Sequence, residues 1–266
     1  MHPIGMKVTG NTIFITGGGS GIGRGLAEAL HAAGNQVIIS GRRKEKLADV
    51  TQANAGMDSI ELDLENTASI AAAAKTLTQM YPKLNVLINN AGIMLPDHVQ
   101  TTLEDATVSS VITTNLLGPM RMTSALIEEL KTQPASYVIN VTSGLGFRPL
   151  AMTATYSATK AALHSYTLSQ RYLLKDTSVK LLELIPPYVQ TELMGAGQAE
   201  DPRAMPLKEF IAEVMTLLAT DVNEILVQRV IEHRTSAGLH DYEAMTRLND
   251  LMSAGHSEIV GEKKEK

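Results

Sequence analysis

With 266 residues, 44% hydrophobic and 19% charged content and a net charge of -5, the chain suits one large soluble domain and gives no reason to expect nucleic acid or an anionic membrane as a partner. The absence of cysteine excludes disulfides, thiol nucleophiles and thiolate metal sites, and the seven histidines form no HExxH or similar ligand pair, so no metal is expected. No apolar run approaches the roughly 20 residues of a membrane span and no signal-peptide pattern opens the chain, which reads as a cytoplasmic protein.

Residues 1–10, with Pro3, Gly5 and Gly10, read as a loose lead-in to a domain spanning 11–258. Thr12 to Thr16 is a short buried strand. It runs directly into Gly17-Gly18-Gly19-Ser20-Gly21-Ile22-Gly23-Arg24-Gly25 and a helical stretch from Leu26 to Ala33. Strand, glycine turn and helix in this order are the context of a dinucleotide site. Glycines let the backbone approach a pyrophosphate, and the helix start offers it unpaired N–H groups. Gly17, Gly19, Ser20, Gly21, Ile22 and Gly23 are therefore candidate cofactor contacts.

Gln36 to Ser40 is a second strand. Where an NAD site carries an acid for the ribose hydroxyls, this chain has Ser40-Gly41-Arg42-Arg43. No carboxylate repels a 2'-phosphate there and two guanidiniums can bind one, so NADP(H) is expected over NAD(H). The plainer reading of Arg42 and Arg43 is a solvated basic helix start, continued by Lys44 and Lys46.

Ser59 to Leu62 is a third strand, ending at Asp63 and Leu64, where an open α/β sheet binds ligands; Asp63 serves equally well as turn or cap. Thr67 to Met80 is a helix that Pro82 terminates. Leu84 to Ile88 is a fourth strand, followed by Asn89-Asn90-Ala91-Gly92, a turn able to lie against a flat ligand. Residues 101–131 form a long helix interrupted near Gly118-Pro119, with Asn115 inside it. Tyr137 to Thr142 is a fifth strand that delivers Ser143 ahead of Gly144 and Gly146.

Between Thr155 and Val179 there is no glycine or proline, which predicts a helix. Tyr156 and Lys160 then share a face at i and i+4, and the ammonium is expected to lower the phenol pKa from its usual value of about 10. Taken alone, Tyr-x-x-x-Lys occurs by chance on many helices. Val179 to Ile185 is a sixth strand leading to Pro186-Pro187-Tyr188-Val189-Gln190-Thr191, and the stretch to residue 206 reads as a loop over the substrate.

The glycine turn, Asn-Asn-Ala-Gly, Asn115, Ser143 and the Tyr156/Lys160 pair fall in an order that resembles the short-chain dehydrogenases/reductases over roughly residues 10 to 195. The resemblance implies a doubly wound parallel sheet of the Rossmann type, as the alternation of strands and helices does independently. It further implies that Tyr156 is the acid or base, that Ser143 holds the carbonyl oxygen, and that Lys160 tunes the tyrosine and binds the nicotinamide ribose. Asn115 would hold a water behind Lys160. Asn90, Ala91, Gly92, Pro186, Val189 and Thr191 would contact the cofactor.

Two departures from the family stand out. Pro187 replaces the usual glycine, which puts the nicotinamide contacts in question. The last third offers no evident seventh strand, since Phe210 to Ala219 and Ile225 to His233 read as amphipathic helices. Because that strand supports tetramer packing in the family, a dimer through the helices bearing Asn115 and Tyr156 is expected. Residues 259–266 read as a disordered charged tail.

The expected activity is hydride transfer between NADP(H) and a ketone, aldehyde or secondary alcohol. Leu145, Phe147, Leu150, Met152, Tyr188 and Met194 flank the expected pocket without a fixed charge, which suits an apolar substrate. Arg148 could pair with an anionic group or lie in solvent. The competing functions are a catalytically silent NADP(H)-binding regulator and an epimerase or dehydratase on the same residues.

Overall fold

In the computed structural model, which describes residues 5–97, 100–102, 104–236, 238 and 241–261, strands and helices alternate along the chain. The strands are β1 (Thr12–Thr16), β2 (Gln36–Gly41), β3 (Asp58–Glu61), β4 (Leu84–Asn89), β5 (Ser136–Val141), β6 (Val179–Ile185) and β7 (Glu224–Leu226). They form one sheet in the order β3-β2-β1-β4-β5-β6-β7, every neighbouring pair parallel. The helices are α1 (Gly21–Ala32), α2 (Lys44–Ala53), α3 (Thr67–Met80), α4 (Asp105–Ile112), α5 (Gly118–Thr132), α6 (Ala154–Leu173), α7 (Ala196–Glu200), α8 (Leu207–Leu218), α9 (Ile231–Thr235) and α10 (Asp241–Gly261).

Near-continuous apolar strands follow from burial on both faces. Their period of two divides the side chains. Ile13, Ile15, Val37, Ile39, Val86 and Ile88 pack with Leu26 and Leu30 of α1 and Phe210 and Val214 of α8. Phe14, Ile38, Leu87 and Val138 pack on the other face with Leu77 of α3 and Met122, Leu126 and Leu130 of α5. Each fully buried side chain of this size contributes about 1.5 to 3 kcal/mol. The order reverses between β1 and β4, which opens a crevice at the C-terminal strand ends.

The seventh strand is present, contrary to the expectation from sequence. Glu224, Ile225 and Leu226 pair with Glu183, Leu184 and Ile185 of β6. A three-residue strand is too short to show a period of two, and its ladder partner lies some forty residues upstream. The stretch read as one amphipathic helix divides into β7, a 3-10 turn at Gln228–Val230 and the short α9. The argument for a dimer that rested on a missing strand falls with it.

The interruption expected near Gly118 is a π-helical turn, Thr113–Leu117, which carries Asn115 between α4 and α5. From the expected N-terminal lead-in, Gly5 accepts a hydrogen bond from the Tyr137 hydroxyl at 3.2 Å and Met6 N–H donates to Leu218 O at 3.0 Å. Of the expected charged tail, residues 259–261 end α10 and 262–266 lie outside the described residues.

Candidate active site

A cleft of about 850 Å³ follows the C-terminal ends of the central strands. At its glycine-rich end, Gly17 adopts φ of +71°, and a Cβ there would lie 2.8 Å from Ala91 Cα. A Cβ on Gly23 would lie 2.2 Å from the Gly17 carbonyl oxygen and 2.4 Å from Asn90 Nδ2, so only glycine fits. Asn90 ties the two turns together by donating to the carbonyls of Thr16 (3.0 Å) and Gly17 (3.2 Å). The Thr16 hydroxyl accepts from the N–H groups of Asn90 and Ala91 at 3.0 and 3.1 Å.

No side chain caps the start of α1. Ser20 stands at the cap position, but its hydroxyl accepts from Arg43 at 3.2 Å. Gly21, Ile22 and Gly23 line the cleft, so the unpaired N–H groups and positive dipole end of the helix are open to an anion. Gly19 lines the same end. At the end of β2, Arg42 and Arg43 border the cleft with Lys46. The contact of Arg42 with Glu65 is long, 3.4 Å, and exposed, so little holds that guanidinium back from a ligand. Asp63 and Leu64 also line the cleft; Asp63 Oδ1 accepts from Glu65 N–H at 3.0 Å, so its turn role is realised. This end suits the phosphates of a dinucleotide.

At the far end, the last residue of β5 and the segment that follows it meet α6. The Lys160 ammonium donates to Val141 O at 2.7 Å, and the Ser143 hydroxyl, which accepts from Leu145 N–H at 3.1 Å, stands beside the Tyr156 phenol. Lys160 Nζ lies 5.5 Å from the Tyr156 ring centroid, as the i, i+4 spacing requires. Asn115 is wholly buried behind the cleft rather than lining it. Its side chain accepts from Ile93 N–H at 2.9 Å and donates to Ile93 O at 2.8 Å. A Cβ on Gly92 would lie 3.3 Å from Asn115 Oδ1 and 3.7 Å from Lys160 Nζ, so amide and ammonium converge there.

The electrostatics differ from the expectation of a lowered tyrosine pKa. Burial is the largest effect and pushes the Tyr156 phenol up to about 12; the opposing pull comes from the Ser143 hydroxyl, not from Lys160. Burial also lowers Lys160 to about 8, against a raising influence from Glu183. The two groups share one dry site, where removal from water outweighs their mutual influence.

Several residues without a sequence signal complete the site. Asp97, on the loop after β4, caps α6 by accepting from Ala154 N–H at 2.8 Å and Thr155 N–H at 2.6 Å, which fixes the turn bearing Tyr156. Gln198 of α7, nearly buried, donates to Val189 O at 2.8 Å and Thr191 Oγ1 at 3.0 Å, tying the chain after β6 to the cleft. Pro186, Pro187, Val189 and Thr191 line that wall, and Gly144 N–H donates to Pro186 O at 2.9 Å.

Of the expected substrate contacts, Leu145, Leu150, Tyr188 and Met194 line the cleft. Phe147 and Met152 do not. The Phe147 ring stacks edge-on against His164, centroids 4.7 Å apart, with the Arg234 guanidinium 4.9 Å from its centroid, and Met152 is on the surface. Arg148 turns away to Glu232 at 3.3 Å and Ser236 at 2.8 Å. The remaining wall comes from Leu248, Leu251 and Met252 of α10 and His233 of α9, whose pKa burial lowers. Asn249 anchors α10 by accepting from Ala151 N–H at 2.6 Å and donating to Pro149 O at 3.0 Å. The i, i+3, i+4 spacing of the α10 residues is legible as an apolar stripe, but where it docks is not.

Known proteins share this arrangement. A sequence model described as short chain dehydrogenase matches residues 11–202. The chain is 36% identical over 244 residues to an uncharacterized oxidoreductase, DltE, of Bacillus subtilis, covering 90% of this chain and 96% of that one. Among solved structures, a short chain dehydrogenase from Burkholderia cenocepacia in complex with NADP is similar at a TM-score of 0.73 and 26% identity, over 95% of this chain and 98% of that one. A 3-ketoacyl-(acyl-carrier-protein) reductase from Brucella melitensis complexed with NADH shares the fold at a TM-score of 0.72 and 24% identity, over 80% of this chain and 92% of that one. With sheet order, glycine turn and family match in agreement, the chain belongs to the short-chain dehydrogenase family of oxidoreductases.

Proposed function

We propose that the protein is an NADP(H)-dependent reductase of apolar ketones or aldehydes, running equally as a secondary-alcohol dehydrogenase, with Tyr156 as acid or base. The observation that carries this reading is the meeting of the Ser143 hydroxyl, the Tyr156 phenol and the Lys160 ammonium in one buried cluster on the cleft that begins at the Gly17–Gly23 turn. When bound, the nicotinamide supplies or accepts the hydride. A phenol that burial keeps protonated near neutrality is the right starting state to donate a proton to a carbonyl oxygen. Ser143 holds that oxygen through its own hydroxyl, and Lys160, beside the phenol, is placed to hold the nicotinamide ribose when the cofactor is bound. Asn115 fixes the Ile93 backbone beside them.

Choice of NADP(H) over NAD(H) rests on Arg42 and Arg43, which follow β2 in place of an acid and border the cleft, and on the NADP held by the Burkholderia cenocepacia relative. Substrate class rests on the apolar wall of Leu145, Leu150, Met194, Leu248 and Met252. No helix among the described residues is long and apolar enough to cross a membrane. Exposed Leu168, Tyr172 and Leu173 on α6 offer a face for a second copy of the chain.

The test is NADPH oxidation with a panel of ketones and aldehydes, run on the wild type and on Tyr156→Phe. The variant should lose at least about a hundredfold in kcat, within the usual worth of a general acid, while NADPH affinity stays within about threefold. Substantial turnover by the variant would remove Tyr156 from its role. NADPH binding by a wild type that reduces nothing would favour a silent regulator.

A further inference from the structure

Glu183 occupies the middle of β6, a strand buried along nearly its whole length, and is itself fully buried. A carboxylate there breaks the apolar pattern of a central strand, and such breaks mark positions kept for a purpose other than packing. Its bonds are specific. Oε1 accepts from the Thr142 hydroxyl at 2.7 Å, and His164 Nδ1 lies 2.8 Å from Oε2 and 3.0 Å from Oε1. Tyr156, Lys160 and His164 recur at i, i+4 and i+8, so one stripe of α6 faces the cleft residues and Glu183 together.

Thr142 is the centre of the segment whose neighbours act in the site. Val141 O holds the Lys160 ammonium, and Ser143 stands beside the Tyr156 phenol. The charges around Glu183 are unequally satisfied. Glu224 of β7 is its register partner, and Arg234 of α9 spends a two-pronged contact on Glu224, at 2.8 and 3.0 Å, rather than on Glu183. Arg171 of α6 also acts on Glu224. The donor atoms of His164, Glu183 and Glu224 come within 4.8 Å of one another, but those of Glu224 are already taken up by Arg234, so we assign no metal there. Glu183 is thus left with Thr142 and His164, one helical turn from Lys160.

We infer that Glu183 is a positioning residue for the proposed reductase reaction, holding the Val141–Ser143 segment through Thr142 and setting a negative charge behind the Lys160 ammonium. This rests on the catalytic reading of Tyr156 and Lys160. The raising influence of Glu183 on Lys160 agrees with the geometry. Removing the charge while keeping shape, as in Glu183→Gln, should therefore make Lys160 give up its proton at lower pH.

The experiment titrates Lys160 by carbon NMR of full-length protein labelled at lysine Cε, its signal assigned by loss in Lys160→Met, in wild type and E183Q. A fall of about one pKa unit in E183Q is expected. The kcat profile should move with it, with about tenfold less turnover at pH 9 and almost none lost at pH 6. An unchanged Lys160 titration overturns the proposal. The titration needs no turnover, so a wild type that reduces no carbonyl would defeat the proposed function while leaving this inference to be decided. If E183Q does not fold, Thr142→Val carries the test. It should lower kcat at least about threefold with NADPH affinity unchanged, and wild-type kcat in that variant overturns the positioning role.

Discussion

Replacing Gly23 with alanine tests whether the glycine turn and the Asn-Asn-Ala-Gly turn are one mechanical unit. The new methyl would lie 2.2 Å from the Gly17 carbonyl oxygen and 2.4 Å from Asn90 Nδ2. The first neighbour is backbone and cannot rotate aside, so the turn itself must move, at the roughly 1 to 3 kcal/mol typical of overpacking. Displacing Asn90 also weakens its bonds to Thr16 and Gly17, each worth about 1 kcal/mol, by roughly half. A total of about 2 to 4 kcal/mol follows. If it falls on the bound geometry, NADPH Kd rises by roughly 30-fold to several hundredfold. If it falls on the fold, Tm drops by roughly 5 to 10 °C in a chain of this size. Calorimetric titration with NADPH and a thermal melt together capture either outcome. Gly197→Ala is the control: nothing lies within 4 Å of that position, and it should change neither quantity adversely. A G23A protein with wild-type Kd and wild-type Tm would refute the reasoning.

Burial holds Lys160 near pH 8 against 10.5 in the unfolded chain, so between those values the unfolded state binds more protons and stability rises with pH. Relative to Lys160→Met, the wild type should gain about 1 to 2 kcal/mol between pH 7.5 and 9.5 in urea unfolding, a window below the Tyr156 titration; a flat difference would contradict the buried ammonium. Arg43→Ala should raise NADPH Kd about tenfold to a hundredfold and leave NADH Kd within about twofold, by the worth of one charge-assisted bond to a 2'-phosphate. Equal losses for both cofactors would remove Arg43 from the choice between them. Leu248→Ala or Met252→Ala, on the α10 wall, should raise KM for medium-chain ketones about 3- to 10-fold with little effect on the smallest ones. A KM independent of chain length would show that α10 does not touch substrate.

Sequence by itself determined the elements whose causes are local. Strands β1, β2, β4, β5 and β6 are continuous apolar runs, and α3 spans Thr67 to Met80 because Asn66 caps it and Pro82 stops it. The Gly17–Gly23 turn, Asn90, Ser143 and the Tyr156/Lys160 spacing were legible because each follows from neighbours within a few positions. Tertiary structure alone decided what depends on contacts between distant residues. A three-residue strand such as β7 exists only through its ladder with β6, so no pattern of its own could announce it. Phe147 lies off the cleft with its ring against His164 and Arg234, and α10 walls the cleft where Asn249 bonds the backbone around Pro149 and Ala151. The tyrosine pKa moved upward rather than downward for the same kind of reason. Spacing along a helix sets which charges are near, but only packing sets how much water is removed from them.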